Sequence, residues 1–83
     1  MPERRSKNQI IVQILTTCQE ECVNKTKVVY QANLNFRTVV PYLDQLITKG
    51  LLEASADKHP LYRTTAKGKM ALKSLRVIEE IYF

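Results

Sequence analysis

The chain has 83 residues, 45% of them hydrophobic and 25% charged, with two Gly and three Pro. This length suits one small domain, and the composition is that of an ordered globular chain. Thirteen Lys and Arg against eight Asp and Glu give a formal net charge of +5, which favours a polyanionic partner without choosing among DNA, RNA and an anionic membrane. No stretch approaches the ~20 apolar residues of a membrane span, and no signal-peptide cleavage site follows the first apolar run, so we expect a cytoplasmic protein.

Residues suited to metal binding or catalysis are few. Cys18, Cys22 and His59 are the only soft metal ligands, too few and too far apart for a metal site. We expect both cysteines to be buried free thiols, because Cys behaves as a small hydrophobic residue. The sequence offers no Gly-rich phosphate loop and no nucleophile with a partner base. We therefore expect neither an enzyme nor a cofactor.

A first helix is predicted from the capping box formed by Ser6 and Gln9. Apolar residues then recur at helical spacing, which predicts that the helix continues to about Cys22. Cys18 and Cys22 would lie on one face of this helix, in a geometry that does not favour a disulfide between them. Its core positions are Ile11, Ile14, Leu15, Cys18 and Cys22.

Two further helices follow, separated by a short turn. The second should span Lys25 to Gln31 with Asn24 as its cap, and Asn33 suits a left-handed turn residue. Asn35 should cap a third helix that ends at Gly50. Two helices joined in this way form a helix-turn-helix arrangement. The apolar face of the third helix is predicted at Phe36, Val39, Val40, Leu43, Leu46 and Ile47.

Pro41 lies about six positions into the third helix, where it removes a backbone hydrogen bond. We predict a kink or a tightened first turn, with Pro41 on the exposed side of the helix.

The last third of the chain predicts a hairpin and a helix. Two β-prone runs, Leu51 to Ala54 and Leu61 to Thr64, flank a polar six-residue loop that contains Pro60. Thr65 should cap a last helix running from Ala66 to near Tyr82.

Three phrases of the sequence resemble the archaeal winged helix-turn-helix families. They run from Lys25 to Asn35, from Tyr42 to Leu52 and from Tyr62 to Gly68. They look like predicted archaeal transcription regulators and the small ten-kilodalton dimeric chromatin proteins of Sulfolobales. The resemblance implies duplex DNA binding by the third helix and the wing, and dimerisation through the final helix. Pro41 departs from the family pattern, and the last helix is shorter than the coiled coil of the chromatin proteins.

The expected fold is mainly α with a small β-hairpin. It is a winged helix-turn-helix of three helices, a two-stranded wing and a C-terminal dimerisation helix. Residues 1–65 would form the DNA-binding domain, and residues 66–83 would form a helix that packs on it and on a dimer partner.

Contacts to DNA are expected from three places in this fold. A winged helix lays its third helix in the major groove, where Arg37 suits a guanine edge and Thr38 a thymine methyl or a phosphate. The start of the second helix suits a phosphate, and the wing suits the backbone or the minor groove. Arg4, Arg5 and Lys7 form a basic arm that would either reach a groove or belong to a disordered terminus. The predicted DNA-binding residues are Lys25, Thr26, Lys27, Asn35, Arg37, Thr38, Tyr42, Gln45, Lys58, His59 and Arg63, with Asn35 also the expected helix cap and Arg37 open to the simpler reading of a solvated charge.

The last helix has an apolar arc too wide for one small domain to cover. One stripe of it can pack on the first helix and the hairpin, and a second copy of the helix would cover the other. The predicted dimer interface is Met70, Ser74, Val77, Ile78, Ile81 and Tyr82.

The sequence therefore predicts a small, nucleoid-associated transcription regulator that binds duplex DNA as a homodimer. Two alternatives stay open: a sequence-independent architectural chromatin protein, and a winged helix that binds another protein. The basic residues of the wing and of the second helix argue against the latter.

Overall fold

The computed structural model describes residues 6–82, apart from the side chains of Glu79 and Tyr82. This part of the chain is mainly helical, with four helices and one small antiparallel sheet. The predicted order of three helices, a hairpin and a last helix is present, with one additional strand. The elements are α1 (Lys7–Thr17), β1 (Val23–Asn24), α2 (Lys25–Ala32), α3 (Phe36–Thr48), β2 (Leu52–Ala54), β3 (Leu61–Thr64) and α4 (Ala66–Tyr82).

The capping box at the start of α1 is present as predicted. Gln9 N donates to Ser6 Oγ at 3.1 Å, and Ser6 N donates to Gln9 Oε1 at 2.7 Å. The predicted end of α1 is wrong, because the helix stops at Thr17 with Cys18 as its C-cap rather than continuing to Cys22.

The position of Thr64 in β3 explains why α1 stops early. Its hydroxyl donates to Leu15 O at 2.8 Å, its backbone N–H donates to Cys18 O at 3.1 Å, and the residue is 1% exposed. The last carbonyls of a helix have no partner within it, and Thr64 supplies two of their donors. Because α1 ends at Thr17, the following residues are free to extend into β1. The spacing of apolar residues along α1 does not indicate this early end.

The early end of α1 separates the two cysteines. Both are free thiols as predicted, and Cys18 is buried, but Cys22 is exposed, so the prediction that it is a core residue is wrong. Burial raises the pKa of the Cys18 thiol to about 12, with a further contribution from the nearby Cys22. Cys18 is therefore a neutral core thiol at physiological pH.

The caps and the turn of the helix-turn-helix form as predicted. Lys27 N donates to Asn24 Oδ1, and Thr38 N donates to Asn35 Oδ1, each at 2.8 Å. Asn33 adopts the left-handed conformation, with φ 54° and ψ 44°. These three asparagines fix the beginning of α2, the turn and the beginning of α3.

Helix α3 runs unbroken through Pro41, which is exposed as predicted, and a kink there remains a prediction. Val39, Leu43 and Leu46 are buried in the core. Phe36 and Ile47 are 49% and 36% exposed, so their assignment to the buried face is wrong. The two residues lie near the ends of α3, and the core covers the middle of the helix, which spacing alone does not reveal.

The sheet has three strands in the order β1-β3-β2, so the expectation of only two strands is corrected. Val23 pairs with Tyr62, and Leu52 pairs with Thr64. Strand β1 has two residues, too few for an alternating pattern to be recognised. The loop between β2 and β3 has the six residues predicted, 55–60, and Ser55 closes it with two hydrogen bonds of 3.0 Å to Leu61.

Helix α4 is held against the rest of the domain by small and buried residues. Gly68 N donates to Thr65 Oγ1 at 3.0 Å, which confirms the predicted cap. Gly68 is buried where a Cβ atom would overlap the Leu51 carbonyl oxygen, and Leu72 is 1% exposed. The core cluster comprises Ile10, Ile14, Leu15, Cys18, Val23, Val28, Val39, Leu43, Leu46, Leu52, Tyr62 and Leu72. None of the described helices has the length and apolar character needed to cross a membrane.

Candidate nucleic-acid interface

Three elements meet around an open cleft of about 410 Å³, which we name the basic cleft. Asn24 belongs to β1 and also caps α2, and it pairs with Leu61 at the start of β3. This pairing brings the β2–β3 loop beside the beginning of α2. The basic cleft is lined by Asn24, Lys25, Thr26, Phe36, Lys58, His59 and Pro60, so four of the predicted DNA-binding residues come together there.

The first turn of α2 contributes positive charge to the basic cleft. The Asn24 cap occupies the N–H of Lys27, while Lys25 and Thr26, the other residues of that turn, line the basic cleft. A helix N-terminus carries a partial positive charge that suits a phosphate, and the ammonium groups add to it.

Lys27 has a partner that the sequence did not predict. Its Nζ lies 2.7 Å from Glu21 Oε1, and both side chains are exposed. The hydrogen bond and the charge of Lys27 lower the pKa of Glu21. Exposed ion pairs are weak, so a phosphate can compete with Glu21 for Lys27.

The predicted contact residues of α3 divide into exposed and partly covered side chains. Arg37 and Gln45 are exposed, and within residues 6–82 Arg37 forms no salt bridge. Thr38 is half-buried, and Tyr42 is half-buried with its side chain packed against the core. The side-chain oxygen of Asn35 already serves as the helix cap. Arg37 and Gln45 are thus the α3 residues best placed to contact a groove.

The two ends of the hairpin face different surroundings. Lys58 and His59 line the basic cleft. Arg63 instead forms a salt bridge with Glu53 on the neighbouring strand, with 3.3 Å between Arg63 Nε and Glu53 Oε1. Arg63 lines a separate cavity of about 280 Å³ together with Glu53 and Cys22. The structure therefore does not bring Arg63 together with the other predicted wing residues.

The N-terminal end of α1 extends the exposed surface of α3. Lys7 lines a small cavity of about 200 Å³ with Pro41, Tyr42 and Gln45. Its ammonium group therefore adds a positive charge beside α3, at a place separate from the basic cleft. Arg4 and Arg5, the rest of the predicted basic arm, lie outside the described residues.

Sequence reasoning missed Phe36 and Pro60 as cleft residues and Glu21 as a partner of Lys27. Phe36 precedes Val39 and Val40 at helical spacing, which indicates a core residue as readily as an exposed one. Glu21 lies six residues before Lys27 across a strand and a helix start, so no helical spacing connects them.

A second exposed surface lies on α4, which we name the outer face of α4. Met70 is 72% exposed, Val77 50%, Ile78 41% and Ile81 69%. On the helix these residues lie away from Leu72, which is in the core. The outer face of α4 consists of Met70, Ser74, Val77, Ile78 and Ile81; the side chain of Tyr82, also predicted at this interface, lies outside the described residues.

Metal ligands do not cluster in the described part of the chain. No group of three or more His, Cys, Asp or Glu residues there is arranged to hold a metal ion.

The arrangement of the helices, the small sheet and the basic cleft defines a winged helix fold. The model of the winged helix-turn-helix family matches residues 4–82, and the chain belongs to that family.

Among individual relatives, the chain is 35% identical over 78 residues to the uncharacterized protein MJ0287 of Methanocaldococcus jannaschii, covering 94% of this chain and 77% of that protein. It is 30% identical over 79 residues to MJ0290 of the same organism, covering 95% of this chain but 35% of that protein. The crystal structure of Sso10a-2, a DNA-binding protein from Sulfolobus solfataricus, matches with a TM-score of 0.86 and 31% identity. That match covers 93% of this chain and 81% of that one.

Proposed function

We propose that this protein binds duplex DNA as a small transcription regulator and catalyses no reaction. Helix α3 would lie in the major groove, and the β2–β3 loop would contact the backbone or the minor groove. The observation that carries the proposal is the basic cleft, where the start of α2, the start of α3 and the loop converge. The similarity to Sso10a-2, which is described as a DNA-binding protein, supports the proposal that this chain binds DNA. Such a protein would reside with the nucleoid in the cytoplasm.

Different residues would have different roles on the duplex. Lys25, Lys27 and Lys58 would neutralise phosphates, and Thr26 and His59 would hydrogen-bond to the backbone. Arg37 and Gln45, exposed on α3, would reach base edges in the major groove. Asn35 would hold the beginning of α3, and Thr38 and Tyr42 would flank the residues of α3 that contact DNA. Arg63 would contact DNA only at the outer side of the hairpin.

The test is binding of the wild-type protein to a random-sequence duplex, followed by fluorescence anisotropy. If about four to six phosphates are neutralised, affinity should fall with at least the fourth power of salt concentration between about 50 and 300 mM. Replacing Lys25 and Lys58 together by Ala should reduce this slope, whereas Lys73→Ala, which removes a charge from the exposed side of α4, should not. Absence of binding at low salt would refute DNA binding and favour a protein partner.

The second candidate is a sequence-independent architectural role. It is favoured because Lys25, Lys27 and Lys58, near the start of α2 and in the β2–β3 loop, suit phosphates rather than base edges. Arg37→Ala separates the two. In a regulator this change should weaken binding to a preferred sequence more than to random duplex, whereas Lys27→Ala and Lys58→Ala should weaken both equally. Equal losses for all three variants would support the architectural role.

We further propose that the chain forms a two-fold homodimer through the outer face of α4. Four large apolar side chains are exposed there, and no other described element covers them. A second α4 would bury them while leaving Lys69 and Lys73 exposed at the edge. The dimer would present two α3 helices at a fixed spacing and favour half-sites about one helical turn apart.

Sedimentation equilibrium at micromolar concentration tests the dimer. The wild type should have the mass of two chains, and Val77→Glu combined with Ile81→Glu should have the mass of one. Lys69→Glu combined with Lys73→Glu changes exposed residues beside that face and should remain dimeric. A wild-type mass of one chain, or a dimeric Val77→Glu/Ile81→Glu variant, contradicts this proposal.

A further inference from the structure

Phe36 is a large apolar residue whose exposure the proposed phosphate contacts do not explain. It is the first residue of α3, and 49% of its surface is exposed. It lies between the basic cleft and a second open cavity of about 570 Å³ lined by Val29, Tyr30 and Leu34, among others. Exposing part of a phenyl ring to water is unfavourable, so an exposed Phe36 beside lysines indicates an apolar contact with the same partner that the lysines bind.

The position of Phe36 puts it where a recognition helix contacts bases. In helix-turn-helix proteins the N-terminal residues of this helix reach the base edges, while surrounding cations hold the phosphates. Phe36 shares the basic cleft with Lys25 and Lys58, which would hold the DNA backbone beside it.

A phenyl ring in the major groove can read only one feature of the bases. It has no hydrogen-bonding group, and the apolar feature that a base pair presents in the major groove is the C5 methyl of thymine. About half of the Phe36 surface is covered by the protein itself, and His59 and Pro60 line the same cleft. In a duplex the faces of the bases are stacked on one another, so the exposed half of Phe36 would meet the methyl group at the groove edge rather than the face of a base.

We propose that Phe36 determines specificity by contacting thymine methyl groups in the major groove next to the bases that Arg37 reaches. This inference rests on the proposed DNA binding and adds to it a base preference carried by an apolar contact. It makes the recognition depend on the methyl group itself, so the same preference extends to 5-methylcytosine.

The experiment compares duplexes that differ only in that methyl group. Wild-type protein is titrated with an alternating A·T duplex and with the same duplex carrying uracil for thymine, and then with a G·C duplex and its 5-methylcytosine form. Each buried methyl is worth about fourfold in affinity, so uracil should weaken binding about fourfold and 5-methylcytosine should strengthen it similarly.

Variants assign the effect to Phe36. Phe36→Ala should bring both ratios to about one, and Phe36→Leu, which keeps an apolar side chain, should retain part of the effect. Tyr30→Ala is the matched control, because Tyr30 is 79% exposed but does not line the basic cleft, and it should leave both ratios unchanged.

The outcomes separate this inference from the proposed function. Salt-dependent binding with wild-type ratios of one would overturn methyl recognition and leave DNA binding standing. No binding to any of the four duplexes would refute both. Tighter binding to single-stranded oligothymidine than to duplex, lost in Phe36→Ala, would mean that Phe36 stacks on unpaired bases and would also overturn the inference.

Discussion

The basic cleft and the outer face of α4 are both open to solvent, but their chemistry is opposite. The cleft is assembled from three elements and carries Lys25 and Lys58 near the phenyl ring of Phe36. The outer face belongs to one helix and exposes Met70, Val77 and Ile81 in a row. Charges collected from separate elements suit a polyanion, whereas an apolar stripe along one helix suits another helix. The two surfaces therefore point to two different partners.

The strongest test of this comparison asks whether the two surfaces cooperate. The proposed dimer would bind DNA through two linked clefts, so Val77→Glu with Ile81→Glu should weaken duplex binding about 100-fold although neither residue lies in the cleft. Lys25→Ala with Lys58→Ala should instead leave the sedimentation mass unchanged. Anisotropy and sedimentation on the same samples measure both effects. Unchanged affinity in the α4 variant would mean that the surfaces act independently.

The next effect concerns how α4 is attached to the domain. A Cβ at position 68 would overlap the Leu51 carbonyl oxygen, so Gly68→Ala should lower the free energy of unfolding by roughly 3 kcal/mol. Gly50 has φ +76° and no atom within steric conflict of a Cβ, so Gly50→Ala should cost only about 1 kcal/mol of strain. Urea denaturation measures the free energy of unfolding of both variants. Equal losses would contradict close packing at Gly68.

A smaller effect is expected at the link between β3 and α1. Thr64→Val removes the hydroxyl that donates to Leu15 O and should lower the free energy of unfolding by about 1 to 2 kcal/mol, because a buried carbonyl loses its donor. Thr48→Val alters an exposed residue at the end of α3 and should have little effect in the same urea titration. A neutral Thr64→Val variant would show that the hydrogen bond is not needed.

The smallest effect concerns Glu21, the acidic partner of Lys27. Glu21→Gln releases Lys27 from its ion pair and should strengthen duplex binding about twofold at low salt. Glu20→Gln removes the same charge from an exposed neighbouring residue that forms no salt bridge within residues 6–82, and it provides the control with a smaller expected change. Weaker binding of Glu21→Gln would place the Glu21–Lys27 pair itself in the interface.

The parts of the fold that local chemistry determines could be predicted from the sequence. Ser6, Asn24, Asn35 and Thr65 act as caps because each lies only three residues before the backbone N–H that it binds. Contacts between distant segments could not be predicted. The bond from Thr64 to Leu15 spans 49 residues, and it changes where α1 ends.

The candidate site divides in the same way. The beginnings of α2 and α3 place Lys25 and Arg37 as expected, because caps fix those positions. The separation of Arg63 from Lys58 and the exposure of Phe36 depend on strand register and on how far the core extends along α3. Neither follows from a single-sequence pattern.

Strand β1, although it has only two residues, has a mechanical consequence. Asn24 pairs with Leu61 in the sheet and its side chain also caps α2, so strand pairing and the helix cap together join the hairpin to the first turn of α2. The spacing between the phosphates that we propose Lys25 and Lys58 to hold would then be set by this connection. Two phosphate contacts at a fixed separation depend on the width of the groove that they span. We therefore expect the protein to discriminate among DNA segments by their local shape as well as by their bases.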